Sequence, residues 1–188
     1  MPPARSKLQD QRRCFIQALV DNFSRYILSW HVSLEYGGEY THRLLVAGLE
    51  KLRAFGIGNE PQVLVDGGSE NHNEAVNALV TGGQIDLLTA QTEIDASNSM
   101  VEAVFHRLKN CHLYLQKLTS VESLIFHTDF YLKEANERIP LQVLRGATPL
   151  EVISLSWDQK NIDELKEKST SARRKRLQIN RSRLCGSC

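Results

Sequence analysis

VLVDGGSEN, residues 63–71, joins a run of apolar residues to a polar, glycine-rich loop. The apolar residues predict a short buried strand that ends at Asp66, because the two glycines after it favour a turn. A second segment, SNSMVEAVFHRLKN at residues 97–110, predicts a helix with Glu102 in its first turn. Thirty-five residues separate the two acids. A strand end and a helix can bring carboxylates from such distant positions to one metal site.

The composition predicts one ordinary globular core. The chain has 188 residues, of which 41% are hydrophobic, and it contains no biased tract. That length is enough for a single domain. No apolar run reaches the length of roughly eighteen residues that a membrane span needs. The N-terminal residues 1–13 also lack the apolar stretch of a secretory signal, so we expect a cytoplasmic protein.

The order of the apolar runs predicts an α/β fold. Residues 14–20 and 26–34 are typical of two strands, and the turn residues at 21–24 predict that they form a hairpin. The predicted segments that follow are a helix at 41–55, a strand at 62–65, a helix at 73–81, a strand at 85–88, helices at 99–115 and 120–137, a helix start at Thr148-Pro149 and a weakly apolar helix within 158–180. A hairpin followed by this alternation predicts a mixed sheet flanked by helices.

The two carboxylates suit a hard cation that takes oxygen ligands. Asp66 and Glu102 are therefore candidate ligands of Mg²⁺ or Mn²⁺. A pair of such ions can activate an attacking oxygen and stabilise the leaving oxygen of a phosphodiester displacement. Each acid also has a structural explanation, Asp66 as a turn residue and Glu102 as an acid that favours the start of its helix by roughly 0.3–1 kcal/mol.

Positive charge near Glu102 and in the C-terminal region indicates a polyanionic partner. Lys109 lies two helical turns after Glu102, about 10 Å along the same face at 1.5 Å per residue, and Arg107 is close by; both are candidates for phosphate contacts. Residues 161–188 contain eight Lys or Arg and three acids, a net of +5, so the rest of the chain sums to −4. The densest run is Arg173, Arg174, Lys175 and Arg176. The region either contacts a polyanion or is a solvated tail that binds nothing.

Four segments together resemble the integrase catalytic core of insertion-sequence transposases and retroviral integrases. They are ALVDNFSRYILSW at 18–30, VLVDGGSEN at 63–71, SNSMVEAVFHRLKN at 97–110 and NERIPLQVLRGATPLEV at 136–152. The segments occur in the family's order and at its distances. The resemblance covers residues 12–155 and leaves 156–188 as a basic C-terminal extension.

The resemblance implies a ribonuclease-H-like fold in which three acids, Asp, Asp and Glu, bind two Mg²⁺ ions and support processing and transfer of a DNA end. Asp66 would be the second acid and Glu102 the third, and Lys109 stands where the family has a lysine that contacts DNA. The implied partners are DNA, as transposon ends and target, and a second copy or a full-length transposase. No membrane is implied.

One part of the family pattern is missing. The first acid of the family lies on the opening strand, roughly twenty residues before the position of Asp21, where this chain has Met1, Pro2 and Pro3. We therefore expect an incomplete first strand, an N-terminally truncated core without its first catalytic Asp, and weakened Mg²⁺ binding. Asp21 is interpreted as a turn residue. Asp10 is placed in the turn before the strand at 14–20.

Two functions are compatible with these features. The first is a DNA strand-transfer protein of transposase or integrase type, inactive because the first catalytic Asp is absent. The alternative is a non-catalytic DNA-binding or dimer-forming transposase fragment. A ribonuclease-H-like nuclease is less favoured, because fold alone does not decide function and the motifs resemble integrases more closely. Glu70 and Asn71 either shape the loop after Asp66 or are solvated surface residues, and the six histidines are interpreted as structural.

Overall fold

A computed structural model of the chain describes residues 4–7, 13–68, 71, 73–89, 99–156 and 159–184. The strands are β1 Ala4–Lys7, β2 Arg13–Val20, β3 Ile27–Ser33, β4 Gln62–Val65 and β5 Asp86–Thr89. The α-helices are α1 Gly38–Ala54, α2 Glu74–Thr81, α3 Ser99–Cys111, α4 Val121–Glu137, α5 Pro149–Ile153 and α6 Gln159–Leu184. The predicted α/β class is confirmed. The apolar pattern did not predict β1. The helix predicted at 99–115 ends at Cys111, and Leu113–Leu115 form a separate 3-10 turn.

The strands form an antiparallel and a parallel group. β1, β2 and β3 make an antiparallel sheet in that order, and β4 pairs with β5 in parallel. The predicted hairpin is confirmed by the pairing of β2 with β3, from Phe15 opposite Ser33 to Val20 opposite Ile27. Within the described ranges the two groups are separate sheets. Both strand orientations and the flanking helices agree with the predicted mixed architecture.

The opening strand is half as long as its neighbour. β1 has four residues and pairs only with the first half of β2, from Ala4 opposite Ile16 to Lys7 opposite Arg13. The described part of the first strand is therefore short, which agrees with the expected incomplete first strand.

Strand β2 is buried on both faces. Cys14, Ile16 and Ala18 are fully buried and belong to one core cluster with α3 and α4. On the opposite face, a β-carbon added at Gly48 of α1 would clash with Leu19, so α1 lies very close to the sheet. The result is a layer of strands between α1 on one side and the α3–α4 pair on the other.

A second core cluster positions the parallel strands. Leu45 and Leu49 of α1 pack with Val63 and Val65 of β4. The same cluster contains Val76 and Leu79 of α2 and the buried Ile85 before β5. Helix α1 packs against Leu19 of β2 and against β4. It therefore links the antiparallel sheet to β4, the strand that leads to Asp66.

Polar side chains fix where the later helices begin. Ser120 precedes α4 and accepts a hydrogen bond from the Ser123 backbone N–H at 3.2 Å. Thr148 caps α5, where its backbone N–H donates to the Glu151 carboxylate at 2.8 Å and its hydroxyl accepts from the Glu151 N–H. The predicted helix start at Thr148-Pro149 is confirmed. Among the described helices, none is long and apolar enough to cross a membrane.

A buried amide joins the end of α4 to the beginning of β3. Asn136 Nδ2 donates to the Ile27 carbonyl at 3.0 Å, and its Oδ1 accepts from the Ile27 N–H at 2.8 Å. Asn136 is buried in this contact. The side chain pairs with the backbone as a neighbouring strand would, so it satisfies two groups that burial would otherwise leave unpaired.

We expect Asn136→Leu to lower the free energy of unfolding by about 2–4 kcal/mol. The substitution keeps the approximate size of the side chain and leaves a buried donor and a buried acceptor of Ile27 without partners. Urea denaturation monitored by circular dichroism measures the change. Asn110→Leu, at an exposed position of α3, is the matched control and should change stability by no more than about 0.5 kcal/mol. Equal losses in the two variants would contradict this role of Asn136.

Candidate functional site

Asp66 lies directly after β4, as predicted. The burial of Val63 and Val65 in the second core cluster holds the strand, and the Asp66 side chain is half-buried where the chain leaves the sheet. The following residues, Gly67 and Gly68, turn the chain away. Asp66 is therefore placed at the end of a strand that the core holds in position.

A buried side chain orients the Asp66 carboxylate. Asn71 Nδ2 donates to Asp66 Oδ1 at 2.6 Å and lies 3.2 Å from the Asp66 carbonyl oxygen. The Asn71 backbone N–H donates to the Gly68 carbonyl at 3.0 Å, and the residue is only 2% exposed. Of the two explanations open for Asn71, solvation at the surface is therefore wrong. Glu70 lies outside the described residues.

Asn71→Ala should lower the free energy of unfolding by about 1–3 kcal/mol, because it removes a buried hydrogen bond to an acidic side chain. Chemical denaturation at neutral pH measures the loss. The matched control is Asn59→Ala, at an exposed loop position, for which little change is expected. If the two variants have the same stability, Asn71 does not hold the loop that follows Asp66.

Glu102 lies in the first turn of α3, as predicted, and its side chain is exposed. The buried side of the helix consists of Val101, Val104, Phe105 and Leu108, which pack in the first core cluster with β2. This apolar stripe fixes the rotation of α3 and directs Glu102 away from the core. Ser99 is the first residue of the helix.

The described residues supply carboxylates from two separate elements. In this part of the chain, no group of three or more Asp, Glu, His or Cys side chains is arranged to hold a metal ion. Mg²⁺ is often bound through one or two carboxylates together with substrate phosphates. The oxygen donors of Asp66 and Glu102 suit that mode of binding. They do not by themselves form a two-ion centre.

The turn interpretation of Asp21 is confirmed. Asp21 Oδ2 accepts hydrogen bonds from the Ser24 N–H at 2.7 Å and the Ser24 hydroxyl at 2.6 Å. The Asp21 backbone also pairs across the turn, with its N–H donating to the Tyr26 carbonyl at 2.8 Å. Its carboxylate therefore stabilises the β2–β3 hairpin. Asp10 lies outside the described residues.

Two cations lie on α3 beyond Glu102. Lys109 is half-buried, and burial lowers its pKa. Arg107 is also half-buried and lines a cavity of about 40 Å³ with Arg25 and Tyr131. Burial raises the pKa of Tyr131, and the nearby Arg107 guanidinium acts in the opposite direction. Two guanidinium groups at one small cavity make this side of α3 suitable for an anionic group.

The C-terminal helix α6 presents the densest positive charge. Arg173, Arg174, Lys175 and Arg176 are all exposed. Four consecutive residues span most of the circumference of a helix, since each advances by about 100°. Leu177 and Ile179 are 50% and 51% exposed. The sequence predicted too little apolar surface for firm packing, and the described side chains of α6 are indeed exposed.

An exposed aromatic surface between α3 and α4 was missed by the sequence interpretation. His112 stacks with Phe130 and Tyr131 at centroid distances of 5.5 and 5.6 Å, and burial followed by the charge of His127 lowers the pKa of His112. Phe130 and the neighbouring Phe126 are largely exposed. The spacing of these two phenylalanines by one helical turn of α4 was the available signal.

The chain matches no protein-family model and no curated protein. Among solved structures, it is similar to the trimeric form of the human T-cell lymphotropic virus 2 integrase catalytic core with magnesium, at 16% identity and a TM-score of 0.59 over 79% of this chain and 90% of that one. The bovine immunodeficiency virus integrase core gives 16% identity and a TM-score of 0.54 over 82% and 93%. The chain has the fold of a retroviral integrase catalytic core.

A larger assembly contains the same fold. The chain is similar to a component of the simian T-cell lymphotropic virus intasome in complex with a PP2A regulatory subunit, at 15% identity and a TM-score of 0.61. The match covers 80% of this chain and 51% of that one. At this identity the likeness establishes the integrase-core fold, and the ribonuclease-H-like class predicted from the sequence is confirmed.

Proposed function

We propose that the chain is a DNA strand-transfer protein of transposase or integrase type. The observation that supports this most directly is the Asp66 carboxylate, which stands at the end of β4 in an integrase-core fold and accepts a hydrogen bond from the buried Asn71. Glu102 on α3 adds the second carboxylate.

In this proposal, Asp66 and Glu102 are the residues that would hold Mg²⁺ or Mn²⁺. The bound ion would supply activation of the attacking oxygen and stabilisation of the leaving oxygen in a phosphodiester displacement. Asn71 orients Asp66, while Lys109 and Arg107 position DNA phosphates. The solved human T-cell lymphotropic virus 2 core contains magnesium, which supports the choice of ion.

Two carboxylates bind such an ion more weakly than three. Asp21 accepts two hydrogen bonds within its hairpin turn, so this proposal does not use it as a third ligand. We therefore propose that this chain binds the metal weakly and has little strand-transfer activity by itself. A third carboxylate supplied at the site should raise both the affinity for the metal and the strand-transfer activity.

Metal binding tests the assignment of the two carboxylates. We expect Asp66→Asn and Glu102→Gln each to weaken Mn²⁺ binding by about tenfold or more, because loss of even a supporting group at a metal site weakens binding by roughly 10–100-fold. Calorimetry or paramagnetic relaxation of water measures the change. Glu50→Gln, an exposed acid on α1, removes the same charge and should leave binding unchanged.

The same variants belong in a metal-dependent DNA nicking and strand-transfer assay. Any activity of the unaltered chain should disappear in Asp66→Asn and Glu102→Gln and persist in Glu50→Gln. Mn²⁺ binding or DNA cleavage that is equal in all four proteins would show that the metal site lies elsewhere.

A second candidate function is a non-catalytic DNA-binding or dimer-forming fragment. Its support is the exposed positive charge of α6, which needs no metal to attract DNA. We propose that residues 12–155 form the core and residues 156–188 a DNA-binding extension. The exposed Phe126 and Phe130 of α4 are the proposed contacts with a second copy or a full-length transposase.

The salt dependence of DNA binding tests the role of α6. Neutralising Arg173, Arg174, Lys175 and Arg176 to Gln should flatten the slope of log K against log salt by up to about 4, since each phosphate contact contributes about 0.9. Fluorescence anisotropy with a labelled 30-base-pair duplex measures the slope. A control replaces four exposed cations elsewhere, Lys51, Arg53, Lys117 and Lys133. Equal slopes for the two variants would remove α6 from the interface.

A further inference from the structure

The small cavity of about 40 Å³ lies where α3 and α4 meet the β2–β3 hairpin. Arg25 of the hairpin, Arg107 of α3 and Tyr131 of α4 are its polar lining residues. The rest of the described wall is apolar and includes Val104 and Pro149. Three polar side chains from three different elements therefore meet at one small apolar hollow.

The two arginines of this cavity have donors to spare. Arg25 Nη1 donates to Asn22 Oδ1 at 2.9 Å and also contacts the Met100 sulfur. Arg107 Nε donates to the Ala103 carbonyl oxygen at 3.4 Å. A guanidinium group carries five N–H donors. Most of the donors of both arginines are therefore without an acceptor within the described ranges.

The positive charge at the cavity has no acidic partner among the described residues that line it. Arg25 and Arg107 are both half-buried. On α4, Glu134 pairs with Arg138 at 3.1 Å, which commits that acid to a different cation. Charges removed from water are usually paired, and two like charges at one cavity repel each other. An anion from solution would satisfy both guanidinium groups.

Tyr131 adds a neutral donor to the two cations. Burial raises the pKa of Tyr131, and the nearby Arg107 guanidinium acts in the opposite direction. Its ring stacks on His112 at a centroid distance of 5.6 Å, which restrains the side chain. A protonated phenol donates a hydrogen bond through its hydroxyl. An anion in the cavity would therefore meet donors from three sides.

The size of the cavity and its donors suit a phosphate group. A water-sized group needs roughly 10–15 Å³, so the cavity has room for about three oxygen atoms. A planar carboxylate has two oxygens and matches a single guanidinium fork, whereas donors from three elements match a tetrahedral group. A phosphate monoester carries a charge of about −1.5 to −2 near pH 7, which balances two arginines. Because the volume leaves little room for substituents, the phosphate should be a terminal one.

The cavity is separate from the proposed metal site. Arg107 follows Glu102 by five residues, which places it about 140° around α3 at 100° per residue. Neither Asp66 nor Glu102 is among the described residues that line the cavity. A phosphate held here is therefore not the one that would meet the metal ion.

We propose that Arg25, Arg107 and Tyr131 bind a terminal phosphate group, supplied either as free inorganic phosphate or as the end of a nucleic-acid strand. The two guanidinium groups pair with the phosphate oxygens, and the Tyr131 hydroxyl donates to one of them. The site rests on the proposed function only in giving Arg107 a phosphate contact. Its binding needs no divalent ion, so assays in metal-free buffer separate its failure from a failure of the metal site.

Calorimetry with inorganic phosphate and the full chain, at constant ionic strength in metal-free buffer, tests the site. We expect one phosphate per chain, with binding weakened about tenfold or more in Arg25→Gln, Arg107→Gln and Tyr131→Phe, since each loses a hydrogen bond to a charged group. Arg53→Gln, at an exposed position of α1, removes the same charge and should bind like the unaltered chain. Absence of phosphate binding, or equal affinity in all five proteins, would overturn the proposal.

Asn22→Ala distinguishes the Arg25 cation from the hairpin turn that carries it. This variant removes the acceptor of the Arg25–Asn22 hydrogen bond and keeps the charge, so it should retain phosphate binding. Circular dichroism checks the folding of every variant, and Arg107→Gln and Tyr131→Phe keep the test valid if Arg25→Gln does not fold. Loss of binding in folded Asn22→Ala as large as in Arg25→Gln would remove Arg25 from the site.

Two thymidine hexanucleotides, with and without a 5′-phosphate, distinguish the sources of the phosphate. Tighter binding of the phosphorylated strand, with the difference lost in Arg107→Gln, would support a strand end as the ligand. Equal binding of both strands, with neither displacing inorganic phosphate, would support free phosphate. Displacement by the unphosphorylated strand would point to internal phosphodiesters, and equal displacement by acetate would point to a carboxylate; either result would overturn the proposal.

Discussion

The burial of β2 on both faces is the constraint on which the rest of the structure depends. Cys14, Ile16 and Ala18 bind α3 and α4 on one side, while the close approach of Leu19 to Gly48 brings α1 against the other. Moving β2 by one residue would exchange its two faces and disrupt both layers. The rotation of α3, and with it the position of Glu102, follows from this packing.

The described strands form two sheets, of which one contains β2 and the other β4. Hydrophobic packing through α1 keeps β4 near β2, but packing does not satisfy backbone hydrogen bonds. Within the described residues, β1 covers only the first half of β2, and no strand pairs with both β2 and β4. In this part of the chain, side-chain packing therefore joins the two sheets.

Much of the fold could be predicted because it follows from local periodicity. The apolar stripe of α3 and the run that becomes β4 were both visible in the sequence, and so were Asp66 and Glu102. The roles of Asn71 and Asn136 were not. An asparagine is typical of turns and solvated surfaces, and only tertiary structure shows that Asn71 reaches back to Asp66 or that Asn136 pairs with Ile27 across 109 positions.

The two carboxylates of the proposed site are held by different physical means. Asp66 is half-buried and oriented by a short hydrogen bond from a buried amide, so its position is set before any ligand arrives. Glu102 is exposed on the first turn of a helix. The packed face of the helix fixes the backbone at this position, whereas the Glu102 side chain can adopt several rotamers. A metal ion would therefore meet one preset ligand and one that must become ordered on binding. That ordering costs entropy, which a third fixed carboxylate or a DNA phosphate would offset. In the proposed function, the integrase-core fold would thus hold the two carboxylates, and a substrate phosphate would complete the ligand set.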